Sequence, residues 1–70
     1  MERALGNHLK AARAELDLTQ AELALRVGVS RKTINTIENG VFTPSTALAL
    51  ALARELGRPV EALFFLAGPA

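Results

Sequence analysis

Apolar residues recur along this chain at the spacing of α-helices. In the first part of the sequence they lie three or four positions apart, at Leu5, Leu9, Ala12 and Leu16. This spacing places the four side chains on one side of a helix and predicts a first helix over residues 3–15. No segment has the strict alternation of apolar and polar residues that is typical of a half-buried strand, so the pattern favours an all-α fold.

The segment "TQAE" predicts the start of a second helix. Thr19 supplies a hydroxyl and Glu22 supplies a carboxylate three positions later, which is the arrangement of a capping box. Leu23 and Ala24 then begin the apolar side of this helix. Gly28 is expected to end it, because glycine tolerates the positive φ that a helix C-terminus often requires.

A third helix is expected to follow almost immediately. Ser30 is a favourable N-cap residue, and only Gly28 and Val29 separate it from the second helix. Two helices joined by so short a connection do not easily pack antiparallel, so we expect them to cross at a steep angle. Asn39 and Gly40 are expected to end the third helix.

Two further helices are predicted in the remaining sequence. Thr43, followed by a proline, indicates an N-cap with proline in the first turn, and the fourth helix then runs to Gly57. A short fifth helix is expected to begin at Pro59, without a side-chain cap, and to carry Leu63 and Phe64 inward.

The third helix has one apolar face and one polar face. At about 100° per residue, five polar side chains fall within an arc of roughly 140°; they are Arg31, Lys32, Asn35, Thr36 and Asn39. Arginine and lysine can contact guanine in the DNA major groove, and asparagine can contact adenine. A polar helix face is usually only solvated. The capped second helix, the glycine and the basic start of the third helix together favour a helix-turn-helix.

Composition narrows the possible functions. The chain has 70 residues, no cysteine and a single histidine, His8. A domain of this size buries only about 60% of the surface that its unfolded chain exposes, which argues against a deep active site. The lack of cysteine excludes disulfides and thiolate metal ligands. No catalytic set or glycine-rich phosphate loop is recognisable. We therefore expect a cytoplasmic protein that is not an enzyme and has no cofactor, metal, small-molecule ligand or membrane segment.

The distribution of charge is more informative than its sum. The net charge is only +1. Arg26, Arg31 and Lys32 nevertheless lie close together in the sequence. A local basic patch is what a phosphate backbone would attract, so the distribution is compatible with a nucleic-acid partner.

Several short motifs carry a family resemblance. The segments "LTQAELA", "VGVS", "INTIENG" and "LARELG" occur in this order within residues 7–64. With them the chain resembles the phage-repressor-like helix-turn-helix family of bacterial transcription regulators, the XRE or Cro/C1 type, and most closely its small stand-alone members. The resemblance implies a compact, lambda-repressor-like domain of five helices over residues 1–70, with a core at 7–66 and the helix-turn-helix at the second and third helices. It also implies a dimer on a two-fold operator in double-stranded DNA.

The resemblance further implies which residues contact DNA. Arg31 matches a position that reads bases, whereas Lys32 matches one that contacts either bases or phosphates. Gln20 is expected to contact a phosphate and also to brace Arg31. Asn39 either holds a phosphate or only helps to end its helix. The expected DNA contacts are Thr19, Gln20, Ser30, Arg31, Lys32, Thr33, Asn35, Thr36, Asn39 and Thr43.

Two further sets of residues have expected structural roles. In proteins of this family an arginine of the first helix pairs with a glutamate of the third, and the resemblance assigns these positions to Arg13 and Glu38. Near the carboxyl end, apolar residues exceed what one small core can bury, which predicts a dimer interface. The expected interface residues are Ala47, Leu50, Ala51, Phe65 and Leu66.

These features predict a sequence-specific transcription regulator that reads the major groove with residues 30–39, most simply as a dimeric repressor. The alternative is a protein-interaction module, such as the antitoxin of a toxin–antitoxin pair, that uses the same DNA-binding face. Tight DNA binding by the purified chain alone favours the first function. Constant co-purification with a second small protein favours the alternative.

Overall fold

The computed structural model describes residues 4–67 of the chain, which contain five helices and two short strands. The terminal residues of the predicted 1–70 domain, 1–3 and 68–70, lie outside the described part. The elements in chain order are β1 (Ala4–Asn7), α1 (Leu9–Glu15), α2 (Gln20–Val27), α3 (Arg31–Glu38), α4 (Thr46–Leu56), α5 (Val60–Leu63) and β2 (Phe64–Ala67). The predicted number of helices is confirmed.

The two strands correct the prediction of an all-α fold. They form an antiparallel pair in which Ala4 lies opposite Ala67 and Gly6 lies opposite Phe65. Each strand has four residues, and the pairing joins the two ends of the described chain, so local periodicity could not reveal it. The Phe65 ring covers Gly6 in β1 and occupies the space of a Cβ, so a larger residue here would have to displace the ring.

Helix α1 is shorter than predicted because β1 precedes it. Its first turn is held by Asn7, whose Oδ1 accepts a hydrogen bond from the backbone N–H of Leu9 at 3.1 Å. The helix ends at Glu15. Leu16, which the spacing placed on the apolar side, is 49% exposed, and Leu18 is buried in its place.

The predicted caps of α2 and α3 are confirmed. The Thr19 hydroxyl accepts a hydrogen bond from the Glu22 N–H at 3.0 Å, and the Glu22 carboxylate accepts one from the Thr19 N–H at 2.8 Å. This second bond lowers the pKa of the Glu22 carboxyl. Gly28 ends α2 with a φ of 77°, and the Ser30 hydroxyl caps α3 by accepting from the Thr33 N–H at 3.1 Å.

Helix α4 begins later than predicted. Its N-cap is Ser45, whose hydroxyl accepts a hydrogen bond from the Leu48 N–H at 3.1 Å, so the prediction of Thr43 as the cap is wrong. The residue before Pro44 is extended in either case, and it is the Ser45 hydroxyl that satisfies a free N–H of the first turn, so α4 begins at Thr46. The predicted end at Gly57 and the uncapped start of the fifth helix at Pro59 are confirmed.

The core is built from all five helices. Six large side chains in it are less than 2% exposed: Leu9, Leu23, Ile34, Ile37, Leu52 and Leu63. Phe64, Leu48 and the valines on either side of Gly28 pack against this core while half-buried. Burial on this scale is what holds α3 in place. Within residues 4–67, every helix falls short of the length and apolar character needed to cross a membrane.

Candidate nucleic-acid interface

The connection between α2 and α3 fixes how α3 is presented. The N–H groups of Gly28 and Val29 both donate to the carbonyl of Ala24, so the turn stays bonded to the end of α2. Ile34 and Ile37 anchor the inner face of α3 in the core, at 0% and 1% exposure. The packing of the inner face therefore holds the opposite face of α3 outward.

The exposed face of α3 carries charge and amides, as the helical wheel predicted. Arg31, Lys32, Asn35 and Asn39 are exposed along it. Both cations lie in the first turn. Within residues 4–67 the ion pairs are made by other arginines, and neither Arg31 nor Lys32 takes part in one. This end of α3 therefore combines free positive charge with hydrogen-bonding groups, the combination that contacts phosphates and base edges.

The hydroxyl residues of α3 are largely engaged within the helix. The Ser30 and Thr33 hydroxyl oxygens lie 3.0 Å apart in a hydrogen bond, and Thr33 is half-buried. The Thr36 hydroxyl donates to the Thr33 carbonyl at 3.0 Å. These residues shape the helix start and offer their remaining hydroxyl lone pairs to a ligand.

Arg13 and Glu38 join α1 to α3. Arg13 Nε donates to Glu38 Oε2 at 2.7 Å, and Arg13 Nη2 donates to Glu38 Oε1 at 3.2 Å. A third donor, Nη1, bonds the Leu18 carbonyl at 2.7 Å. The two side chains are only 14% and 4% exposed. The hydrogen bond to Glu38 raises the pKa of Arg13, so the guanidinium stays charged.

Gln20 is the first residue of α2, as the resemblance implied, and its side chain bonds two residues of α3. Its Nε2 donates to Asn35 Oδ1 at 3.2 Å and to Glu38 Oε1 at 3.0 Å. Within the described residues these donors go to partners other than Arg31, and the bracing of Arg31 stays a prediction. Gln20 links the start of α2 to the middle of α3. Both hydrogens of its amide are used in these bonds, so the side chain has only its carbonyl oxygen left.

The loop after α3 brings Thr43 near the end of that helix. The Thr36 carbonyl accepts from the N–H groups of Val41 and Phe42 at 2.9 and 3.1 Å, which fixes the path of the loop. Thr43 is exposed there and lines a small cavity of about 210 Å³ under β1. Asn39 is the C-cap residue of α3, and its Nδ2 donates to Asn35 Oδ1 at 3.3 Å.

Arg26 does not join the other two cations of the sequence cluster. It lies on α2 with its guanidinium 4.0 Å from the Glu55 carboxylate of α4. Both residues line a groove of about 520 Å³ between the two helices. The basic patch on the face of α3 is therefore formed by Arg31 and Lys32.

The residues expected at a dimer interface lie in two places. Ala47, Leu50 and Ala51 line the groove between α2 and α4, with Leu50 54% exposed. Phe65 and Leu66 lie on β2 and are 41% and 63% exposed. The Phe65 ring already stacks on His8 of its own chain, with ring centroids 4.8 Å apart.

Asn7 is a residue that sequence reasoning missed. Besides holding the start of α1, its Nδ2 donates to the Ile37 carbonyl at 3.0 Å. It thus ties the end of α3 to β1. The signal was present in the sequence, because asparagine next to a glycine is poorly suited to a helix interior.

Comparison with known proteins is consistent with this geometry. The helix-turn-helix family model HTH_3 matches residues 9–63. An HTH-type transcriptional regulator of Methanothermobacter thermautotrophicus, itself uncharacterised, is 51% identical over 59 residues, which span 83% of this chain and 86% of that protein. A crystal structure from Bacteroides fragilis, of a protein assigned as DNA-binding, superposes with a TM-score of 0.80 at 26% identity and covers 87% of this chain and 98% of that one.

Two longer relatives have more specific names. The immunity repressor of Bacillus phage phi105 is 37% identical over 59 residues, which span 84% of this chain and 41% of the repressor. The antitoxin PezA of Streptococcus pneumoniae is 43% identical over 44 residues, which span 63% of this chain and 28% of the antitoxin.

Proposed function

Because the chain belongs to the helix-turn-helix family of DNA-binding transcription regulators, we propose that it is a sequence-specific repressor that places α3 in the major groove of double-stranded DNA. The observation that carries this proposal is the exposed face of α3, which presents in its first turn two cations that form no ion pair within residues 4–67. The named role of the phage relative supports repression rather than activation.

Arg31 and Lys32 have different proposed roles on this face. Arg31 reads a base pair, because a guanidinium can donate two parallel hydrogen bonds to guanine O6 and N7. Lys32 contacts a phosphate as a point charge, since its single ammonium lacks that planar geometry. Asn39, Thr43 and the backbone at the start of α2 contact phosphates on either side of the groove.

The proposal is tested by selecting binding sites from a random DNA pool with the wild type and with two variants. Arg31→Ala should weaken binding by about 1–3 kcal/mol and relax the preference at one base pair in each half-site. Lys32→Ala should weaken binding to all sequences alike and leave the selected motif unchanged. Affinities are measured by fluorescence anisotropy on the selected duplex.

Arg58→Ala is the matched control, because this arginine pairs with Glu15 instead of facing outward on α3. It should bind the selected DNA as the wild type does. If Arg31→Ala selects an unchanged motif at every position, α3 does not read bases as proposed. If no duplex is enriched by the wild type, the DNA-binding function itself is wrong.

We further propose that the repressor is a homodimer on a two-fold operator. The support is the apolar surface of α4 and β2, in which Leu50 and Leu66 are each more than half exposed. Exposed apolar surface usually marks an interaction site, and in a two-fold dimer each of these two surfaces on one subunit would be buried against the other subunit. Two copies of α3 about 34 Å apart would then enter successive major grooves on one face of the duplex.

Sedimentation equilibrium on the full chain tests the dimer. Leu50→Glu and Leu66→Glu should each weaken dimerisation at least about tenfold, because they would bury a charge in the interface. Leu25→Glu is the control: Leu25 is 83% exposed on α2, outside the proposed interface, and its variant should dimerise normally. A monomeric wild type at micromolar concentration, together with a selected site that has no two-fold repeat, would rule out the dimer.

A second candidate is an antitoxin-like module, and the similarity to PezA is the observation that favours it. Such a protein would bind DNA through the same face of α3 and hold a partner protein on another surface. The groove between α2 and α4, with its apolar floor and the charges of Arg26, Arg54 and Glu55 at its rim, is available for that contact. Purification from the native host distinguishes the two, because only the second function requires a stoichiometric protein partner.

A further inference from the structure

Five side chains form one chain of hydrogen bonds from the interior to the exposed face of α3. In order they are Arg13, Glu38, Gln20, Asn35 and Asn39. The chain begins at a nearly buried ion pair and ends on the surface proposed to meet DNA. In each hydrogen bond one side chain donates and the other accepts. Because the ion pair fixes Glu38 as an acceptor, it also fixes which group donates in the bonds that follow.

The Glu38 carboxylate sets the orientation of Gln20. A carboxylate paired with an arginine is ionised and can only accept hydrogen bonds. Gln20 must therefore turn its amide nitrogen, not its oxygen, toward Glu38, where the distance is 3.0 Å. The other hydrogen of the same nitrogen points at Asn35. The orientation of an amide is assigned from such a network, and here the network starts from a charge that cannot be reversed.

Asn35 is oriented in turn. Its Oδ1 accepts from Gln20 at 3.2 Å and from Asn39 at 3.3 Å, so both lone pairs of the oxygen are used. Only the Nδ2 hydrogens remain for a ligand. We propose that Asn35 is held as a donor-only group and selects a keto base, guanine or thymine, in the major groove. This inference rests on the proposed DNA-binding function and adds to it the chemistry of one contact.

The base chemistry follows from the groove edges. Guanine presents the acceptors O6 and N7, and thymine presents the acceptor O4. Adenine also presents the acceptor N7, but its neighbouring amino group, like that of cytosine, would face the Asn35 amino group donor to donor. The usual bidentate contact of asparagine with adenine also needs a free Oδ1 to accept from the adenine amino group, and this oxygen is already occupied. The network thus reverses the base preference that an unconstrained asparagine would have.

Gln20 is the positioning residue in this arrangement. It meets no base, but it holds the Asn35 oxygen inward. Replacing it with methionine keeps the length of the side chain and removes the donor. The Asn35 amide is then free to rotate, so adenine should gain at the same base pair in Gln20→Met. A purely structural role of Gln20 would lower stability without changing the preferred base at one position.

The experiment compares binding sites selected by the wild type, Asn35→Ala, Asn35→Asp and Gln20→Met. Asn35→Ala should relax the preference at one base pair and thereby identify it. There the wild type should favour guanine or thymine over adenine and cytosine by about tenfold. Asn35→Asp retains an oxygen for Gln20 and Asn39 but turns a second oxygen outward. It should therefore shift the preference at that base pair to cytosine or adenine.

The outcomes separate this inference from the function on which it rests. A selected motif that changes with Arg31→Ala but at no position with the Asn35 variants would overturn the role of Asn35 and leave the repressor function intact. A wild-type preference for adenine that is unchanged in Gln20→Met would overturn the donor-only orientation. Failure of the wild type to enrich any duplex would overturn both. The inference is supported if Asn35→Asp and Gln20→Met both change the preferred base at the base pair that Asn35→Ala identifies.

Discussion

Replacing Arg13 with methionine should lower the free energy of unfolding by about 3–5 kcal/mol. The Glu38 side chain is only 4% exposed and accepts two hydrogen bonds from Arg13, so the substitution would leave a charged carboxylate with Gln20 as its remaining hydrogen-bond partner. The Leu18 carbonyl would lose its donor as well. Urea denaturation followed by circular dichroism measures the change.

Two further variants separate the cost of an unpaired charge from the loss of packing. The double variant Arg13→Met, Glu38→Met removes both charges and should be more stable than Arg13→Met alone. Glu15→Gln is the surface control, because Glu15 and its partner Arg58 are 60% and 36% exposed. It should cost less than about 1 kcal/mol. An effect of Arg13→Met as small as that of Glu15→Gln would mean that water reaches Glu38 freely.

The elements that could be predicted from sequence are those with a local physical cause. The capping box at Thr19 and the cap at Ser30 each depend on a side chain and an N–H three residues away. The two faces of α3 follow from helical periodicity, which needs no knowledge of the rest of the chain. The sheet had no such signal, because its four-residue strands are stabilised by pairing between distant ends. Leu5 fits the helical spacing equally well, so the spacing predicts the start of α1 where the structure has β1.

The side-chain partners within the site were harder to predict for the same reason. Sequence placed Gln20 at the start of α2 but not the direction of its amide, which depends on Glu38 and Asn35 across the helix junction. Sequence proximity also grouped Arg26 with Arg31, whereas the packing of α2 on α4 brings Arg26 to Glu55. Which cations are free on the proposed DNA face is thus a property of tertiary packing.

Binding of the selected operator should weaken steeply with salt, although the net charge of the chain is only +1. The relevant charge is local: Arg31 and Lys32 are exposed on α3, so a dimer brings four cations to the duplex. Of these four cations, the two Lys32 ammonium groups contact phosphates, and counterion release by two phosphate contacts gives a slope of log K against log salt near −2. The affinity should then fall roughly 10- to 20-fold between about 50 and 200 mM salt.

Two variants of equal charge change decide whether the salt dependence arises at the face of α3. Lys32→Ala removes one cation from each subunit of the dimer and should reduce the slope by about 2. Arg58→Ala lowers the net charge by the same amount, but this arginine is not on α3 and its guanidinium pairs with Glu15 of α1, so the slope should stay as in the wild type. Equal slopes for the two variants would mean that net charge, rather than a positioned phosphate contact, attracts the protein to DNA. A wild-type slope near zero would mean that the phosphate backbone is not part of the interface, because counterion release is unavoidable wherever a cation neutralises a phosphate.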